Sequence, residues 1–534
     1  MGISGFNAIE NLDHDSFGVD VPVVIIGGGP AGLLQAHLLS QLGVKCLIVE
    51  RYPERLGAPK AHALSPRSLE ICRQFHLDVR KIRQLGTKRS DAFWVNFVTN
   101  LSGQLVGTLP YERMDVDIKM IHNIPQPVFE QLLTDVLSKD SNVDLRKGVS
   151  FVSLDQKSEG ITTTVEERAT GHRFQIHSRY LIACDGARSK VRSVLGVESD
   201  GEDSYETMMT IHFNADLRPI VGERVGMLHW IMDPLGAGFI IAYDLSGNAV
   251  LICNFDVRFR QTRSSLRGDD YRAGDAAHSF PPTGGLGLNS GIGDVHNLAY
   301  KIALVLKGEA RDSLLETYES ERRHVAVVNS MQSVKNGKQI FGLLKSLGIG
   351  NDLMESRKNL YATLQDPEKM KVVNARIEEQ REHFDNLELH IGYVYGSEAI
   401  PPHASKYTPK FEVGARLPHT WIRPTKTTLS AVDVSYVDEL SPDEVKARQY
   451  STLDLCELDK FTLIGDLDVP GVKTCRLHQD FEVIGQAGQE WLTAAGLKDG
   501  GGLLIRPDQH ILMVIRPDTT VESVQRVLNQ HLGV

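Results

Sequence analysis

What this 534-residue chain has little of bounds it first. Its six cysteines (46, 72, 184, 253, 456 and 475) stand singly, with no C-x-x-C and no metal-ligand spacing. They read as reduced thiols of a cytoplasmic protein, so a disulfide scaffold and a metal centre are not expected. Positive charge is not in excess, since the net charge is −10, which argues against a nucleic-acid partner. No uninterrupted apolar stretch approaches the roughly eighteen residues a membrane span needs. No early segment joins a basic start to an apolar run, as a secretory leader would. Internal repeats and low-complexity tracts are absent too. What remains is a chain long enough for several domains, 41% hydrophobic and able to bury large cores.

Residues 21–51, VPVVIIGGGPAGLLQAHLLSQLGVKCLIVER, organise the rest. An apolar run over 21–26, rich in β-branched residues, predicts a buried parallel strand. Gly27, Gly29 and Gly32 follow in G-x-G-x-x-G spacing, and the intervening Pro30 and Ala31 open a helical pattern through Leu33, Leu34, Leu38 and Leu39. A second apolar strand over 44–49 ends on Glu50. Glycine at 27 permits the tight turn, at 29 lets a pyrophosphate approach the backbone, and at 32 lets helix and strand pack closely. The free N–H groups of the helix N-terminus then hold phosphates. Glu50, eighteen residues past Gly32, is placed to accept from a ribose diol. This is a dinucleotide site.

Downstream, Ser65 caps a helix with Pro66 at its first position. Lys60, His62 and Arg67 lie on or beside the preceding loop, where Lys60 and Arg67 are candidate phosphate contacts and Arg51 follows the ribose acid directly. Residues 92–109 read as two strands around Ser102-Gly103, outside the nucleotide core. An amphipathic helix follows Pro127, with Gln126 just ahead of it. A buried strand ending in CDGARSKVR delivers Asp185 and Gly186 to a turn. Residues 238–255 form a hairpin around Ser246-Gly247-Asn248. A glycine-rich loop, GDAAHSFPPTGGLGLN, then leads into a helix reaching Gly308, and its glycines leave backbone N–H groups for a ligand. Charged helices fill 309–395. After a linker near 396–420 comes a small α/β unit whose closing helix, at 519–532, carries Thr519 and Glu522 at capping-box spacing.

Three motifs stand in one order: GGGPAG with Glu50, CDGARSKVR, and GDAAHSFPPTGGLGLN. Together they resemble the single-component, class A flavoprotein monooxygenases. The stretches GARLPHTWI, STLDLC and LLIRPD narrow the resemblance to the branch of phenol 2-monooxygenase, 2,4-dichlorophenol hydroxylases and aromatic polyketide hydroxylases. It implies an α/β fold, with a Rossmann-like FAD-binding domain (GR2-type) over 20–90, 120–200 and 270–330. An inserted β-sheet substrate domain would occupy 91–119 and 201–269, a helical connection 331–408, and a thioredoxin-like C-terminal domain 409–534. Gly27, Gly29 and Gly32 would cradle the FAD pyrophosphate, Glu50 the adenosine ribose and Lys60 a phosphate. Gln126 would contact FAD, Asp185 would support the flavin and the passage of NADPH, and Asp275 would bind the ribityl chain. The backbone of Gly285, Leu286, Gly287, Leu288 and Asn289 would lie along the isoalloxazine. The implied reaction uses NADPH or NADH to reduce FAD, adds O₂ at flavin C4a, and transfers oxygen from the hydroperoxide to a phenolic or other aromatic substrate, including secondary metabolites. The flavin carries that chemistry, so no catalytic side-chain constellation is required. The terminal domain, lacking C-x-x-C, suits a scaffold or homodimer role.

One stretch departs from the family. The residues before Gly274, SSLRGDDYRA, are nearly all polar, where the family has an apolar strand entering the flavin site. The expectation is that several tens of residues are missing, that 256–273 forms a surface loop, and that the sheet has a gap or a displaced strand beside the flavin. The alternative function that follows is a catalytically impaired flavin-binding or dimerising protein. A second enzyme reading is a flavin oxidase or halogenase on a similar scaffold, and the W-x-W-x-I-P motif usual in halogenases is absent.

Overall fold

The computed structural model describes residues 18–54, 57, 62–110, 122–198, 208–254, 271–425, 431 and 441–534. Lys60, the lead-in over 1–17 and the stretch 255–270 lie outside the described residues.

The glycine motif sits on a central parallel sheet. Val19–Ile26 pairs in parallel with Cys46–Glu50 on one side and with Arg173–Ala183 on the other. Val143–Lys147 extends the parallel set beyond Cys46–Glu50, while Gly160–Glu167 and Val149–Lys157 add antiparallel strands at the far edge. Both faces of the inner strands are covered, which is why they read as continuous apolar runs. Leu33, Leu34 and Leu38 of the helix Pro30–Gln41 share one core with Ile292, Val295 and Leu298 of the helix Leu286–Leu306.

A second sheet lies outside this unit, and it takes in the strand pair read over 92–109 and the hairpin read over 238–255. Its strands run in the order Met208–Phe213, Asn248–Asn254, Gly238–Asp244, Leu228–Ile231, Trp94–Val98, Leu105–Pro110. Phe97, Trp230 and Ile241 pack there against Leu343, Leu360 and Ile377 from the helices Ser313–Ser346, Leu353–Leu364 and Pro367–Glu379. The C-terminal unit is built on Thr462–Ile464, parallel to Lys473–Cys475 and antiparallel to Gly502–Ile505, which pairs in turn with Ile511–Ile515. Its closing helix, Val521–Leu532, starts one residue later than the capping box implied. Thr520, not Thr519, accepts from the Ser523 N–H. No helix among the described residues is long and apolar enough to cross a membrane.

The expected gap before Gly274 is not there. Tyr271 and Arg272 pair in parallel with Ile182 and Ala183, on the edge of that strand which Gly160–Glu167 flanks only as far as Ser178. These two residues pair with the end of the flank, and packing of rings holds them. Tyr271 meets Tyr180 and Tyr318 edge-on at 6.4 and 6.3 Å, and the Tyr318 hydroxyl donates to the Arg272 carbonyl at 2.5 Å. Ala273 behind them is buried. Tyr271 and Arg272, the described residues before Ala273 in that polar-looking run, are seated in the sheet because an aromatic ring, not an aliphatic stripe, supplies the contact.

Candidate functional site

The glycine positions explain themselves by what surrounds them. Gly27 has φ +108°, and a Cβ there would strike the Cys184 carbonyl oxygen at 2.3 Å, so the first glycine turn packs directly on the strand end carrying Asp185. At Gly32 a Cβ would lie 2.0 Å from the Gly27 carbonyl, a contact that only glycine avoids. Gly29 differs, because a Cβ there meets nothing within 4 Å among the described residues. The helix Pro30–Gln41 has Gly29 as its N-cap, with no side chain capping it. Packing does not demand a glycine at 29, and open space beside an uncapped helix N-terminus fits a pyrophosphate.

Glu50 stands at the end of the second strand, half-buried. Its Oε2 accepts from the Gly28 N–H at 2.7 Å and its Oε1 from the Tyr52 N–H at 2.9 Å. Two backbone donors fix the carboxylate and leave it further acceptor sites for ribose hydroxyls. Replacing Glu50 by Ala is expected to cost about 1.5–3 kcal/mol of FAD affinity, the scale of hydrogen bonds to a charged group. Titrating apoprotein with FAD by fluorescence quenching checks this, and unchanged affinity would remove Glu50 from the site. Arg51 is exposed, its guanidinium 4.9 Å from the Tyr52 ring.

The third motif meets the first. A Cβ on Gly291 would lie 3.0 Å from Gly274 Cα and 3.8 Å from Ala31 Cβ, so helix Leu286–Leu306 brings Gly274 against the glycine-loop helix. Asp275, exposed in the short 3-10 turn Gly274–Ala276, has its Oδ1 3.7 Å from where a Gly287 Cβ would be. Gly285 is the left-handed N-cap of the helix, so Leu286, Gly287, Leu288 and Asn289 form its first turn and are not loop, as the glycine content had suggested. Leu286 is buried. Asn289 turns away from the turn's open side. Its Oδ1 accepts from the Ser65 N–H and the Ser68 hydroxyl, both at 2.7 Å, and its Nδ2 donates to the Ala63 and Gly285 carbonyls.

Asp294 is the residue that sequence reasoning missed. Fully buried, it accepts at Oδ2 from the Gly274 N–H at 3.0 Å and His278 Nε2 at 2.7 Å, and at Oδ1 from Arg322 Nε at 2.8 Å. Burial alone would raise its pKa, but His278 and Arg322 outweigh that and hold it at about 2. A signal was available, since Asp294 is the one acid in the helix Leu286–Leu306.

Other expected contacts have different partners. Arg67 is buried, and its guanidinium donates to Glu70 Oε2, Gln509 Oε1 and the Asp508 carbonyl, so it joins this unit to the C-terminal one. Glu70 also receives Arg416, buried in turn. Gln126 is the first residue of helix Gln126–Leu137, with Nε2 donating to Glu130 Oε1 at 2.9 Å. Asp185 adds to the N-terminal capping of the helix Lys190–Val194, whose N-cap is Ser189, its carboxylate accepting from the Ser189 hydroxyl and from the N–H groups of Lys190 and Val191. Gly186 beside it has φ +82° with open space at its Cβ position. Losing the cap in Asp185→Ala is expected to cost about 1 kcal/mol of stability, measurable as a lower urea midpoint with an unchanged m-value.

A 2,4-dichlorophenol 6-monooxygenase of Delftia acidovorans is 26% identical over 580 aligned positions, covering 92% of this chain and 94% of that protein. A tetracenomycin B2 monooxygenase-dioxygenase of Streptomyces olivaceus is 26% identical, covering 96% and 98%. Among solved structures, the flavin-dependent monooxygenase PieE in complex with FAD and substrate shares the fold, with a TM-score of 0.82 at 24% identity over 96% of this chain and 99% of that one. The FAD binding domain family matches residues 20–272 and 252–333. That match takes in every motif of the site and more than half of the sequence, and the chain therefore belongs to the FAD binding domain family, with FAD as its cofactor.

Proposed function

We propose that the protein is a single-component FAD-dependent monooxygenase that hydroxylates a phenolic or related aromatic compound, using NADPH or NADH and O₂. One observation carries the reading: likeness to aromatic monooxygenases runs along nearly the whole chain, in both directions of coverage. The residues divide the work. Gly29 and the helix behind it take the pyrophosphate, Glu50 the adenosine ribose, Asp275 the ribityl hydroxyls, and the turn from Gly285 to Leu288 the ring edge. Bound there, FAD supplies the redox chemistry. The protein's own task is to orient the aromatic ring and keep water out, which the second sheet and the helices over it are placed to do.

The alternative of an impaired protein loses its ground, since it rested on a gap that Tyr271 and Arg272 fill. The order Lys473–Cys475, Thr462–Ile464, Gly502–Ile505, Ile511–Ile515, with helices Gly485–Ala494 and Val521–Leu532, supports a thioredoxin-like C-terminal domain. Without C-x-x-C, and with Gln509 and Arg416 tied to Arg67 and Glu70, it acts as a scaffold. The test is NADPH oxidation by purified holoprotein with and without a panel of phenols, together with product analysis. Oxidation that no phenol stimulates would overturn the reading.

A further inference from the structure

Along its middle, the long helix Ser313–Ser346 carries its polarity inside out. The inward face holds Asn329, Gln332, Ser333 and Asn336, all buried. The outward face holds Val327, Met331, Val334 and Phe341. Val327, Met331 and Phe341 are 48%, 50% and 58% exposed, and Val334 is half-buried. With Lys338 and Lys345 they stand at alternating intervals of four and three residues, the repeat of a helix–helix seam. At the turn of an α-helix all six fall within an arc of about 80°. A helix that has already buried one face has no reason of its own to present such a seam to water.

Two glycines flank the seam. Gly337 and Gly342 lie inside the helix, where glycine costs stability against alanine. Neither has a positive φ, and a Cβ at either would meet nothing within 4 Å among the described residues. Nothing described in the chain therefore requires them. Beside an apolar seam, their effect is to let a second helix come close, since the side chains at a contact set the distance between two axes. The charges along the same face are divided by sign. Glu316 and Glu319 are exposed near the start of the helix, and Lys338 and Lys345 near its end. Between them Arg323 is tied to Glu319 at 3.2 Å.

We propose that this outward face is a dimer interface, on which a second copy of the chain lays the same helix antiparallel about a two-fold axis between residues 332 and 333. A parallel pair would stack Lys338 on Lys338 and Lys345 on Lys345, and like charges at a seam repel. The antiparallel pair sets Met331 against Val334 of the second copy, and Val327 against the aliphatic stem of Lys338, each contact made twice. It also carries Lys345 of one copy to Glu319 and Glu316 of the other. The face is thus complementary to itself in shape and in charge, which singles out a second copy over an unrelated partner. The interface stands apart from the flavin chemistry and does not depend on the monooxygenase reading.

The experiment is sedimentation velocity of the FAD-loaded protein, from micromolar to hundred-micromolar concentration. The parent should sediment as a dimer. Met331→Glu sets two carboxylates beside the axis in apolar surroundings and should weaken the dimer at least about a hundredfold. Its FAD content and far-UV circular dichroism should stay those of the parent, because the residue is exposed in the single copy. Gly342→Gln puts a better helix former at an open position, so it keeps the fold, yet it should weaken the dimer about tenfold by holding the helices apart. Lys345→Glu should weaken association, and Glu316→Lys in the same chain should restore it. A parent that is monomeric throughout, or a dimer that both Met331→Glu and Gly342→Gln leave intact, would overturn the interface. A dimer strengthened by Lys345→Glu alone would overturn its antiparallel order.

Discussion

Gly29→Val is expected to fold as the parent does and to purify without FAD. The backbone at 29 is extended, with φ −73° and ψ −176°, a region open to β-branched residues. A Cβ there meets no described atom within 4 Å, so the substitution leaves the apoprotein's packing intact. It does fill the space beside the helix N-terminus through which a pyrophosphate must reach the backbone N–H groups. Affinity for FAD should fall at least about a hundredfold, because phosphate and backbone can no longer approach. Gly32→Ala is the control with opposite behaviour. Its Cβ would lie 2.0 Å from the Gly27 carbonyl, so helix and strand must separate, and stability should fall by about 1–3 kcal/mol, as for overpacking. Far-UV circular dichroism, urea unfolding of the apoproteins and the flavin absorbance of the purified samples separate the two. A yellow Gly29→Val protein would show that the pyrophosphate does not run past residue 29.

That contrast also marks where the sequence could be read and where it could not. The strand–turn–helix–strand unit was legible because its causes are local. Apolar runs over 21–26 and 44–49 are buried on both faces, and the glycine spacing answers contacts made within the unit or at the adjoining strand end. Arg67 was not legible, because its partners Asp508 and Gln509 are more than 440 residues away in sequence. Beside a phosphate loop a basic residue looks like a ligand contact, and only the three-dimensional neighbourhood shows that both its terminal nitrogens donate within the protein. The stretch before Gly274 misled for a different reason. Polarity predicts exposure when a strand must cover a face, but Tyr271 and Arg272 occupy only a two-residue flank and are held by rings of Tyr180 and Tyr318. The alignment with the dichlorophenol monooxygenase runs to 580 positions against a chain of 534 residues, so that relative carries segments this chain does without.

Asp294→Ala is expected to weaken both the fold and the cofactor site, and the order of the two effects follows from the geometry. The carboxylate is the common acceptor for Arg322, His278 and the Gly274 N–H. Removing it leaves the buried Arg322 guanidinium, which otherwise donates to the Ser290 carbonyl and lies near the Tyr395 hydroxyl, without a countercharge. Breaking a buried pair in this way costs about 3–5 kcal/mol. The Gly274 N–H loses its acceptor as well, so the turn that presents Asp275 is no longer pinned to helix Leu286–Leu306 and FAD should be held more weakly. Asp294→Asn retains one oxygen and should keep part of the Gly274 contact while still losing the charge. The parent protein's acid response carries the same signature. The carboxyl titrates at about 2 in the folded chain against an ordinary 3.8, a depressed value. Its contribution to stability is therefore complete above about pH 4 and is lost as the pH falls towards 2. Urea midpoints measured from pH 5 downward should converge for parent and Asp294→Asn, the gap closing because protonation discharges the parent's own carboxylate. A gap that stays constant over that range, or a difference below about 1 kcal/mol at neutral pH, would mean that Arg322 and Gly274 are held by their other neighbours and that Asp294 does not organise the turn.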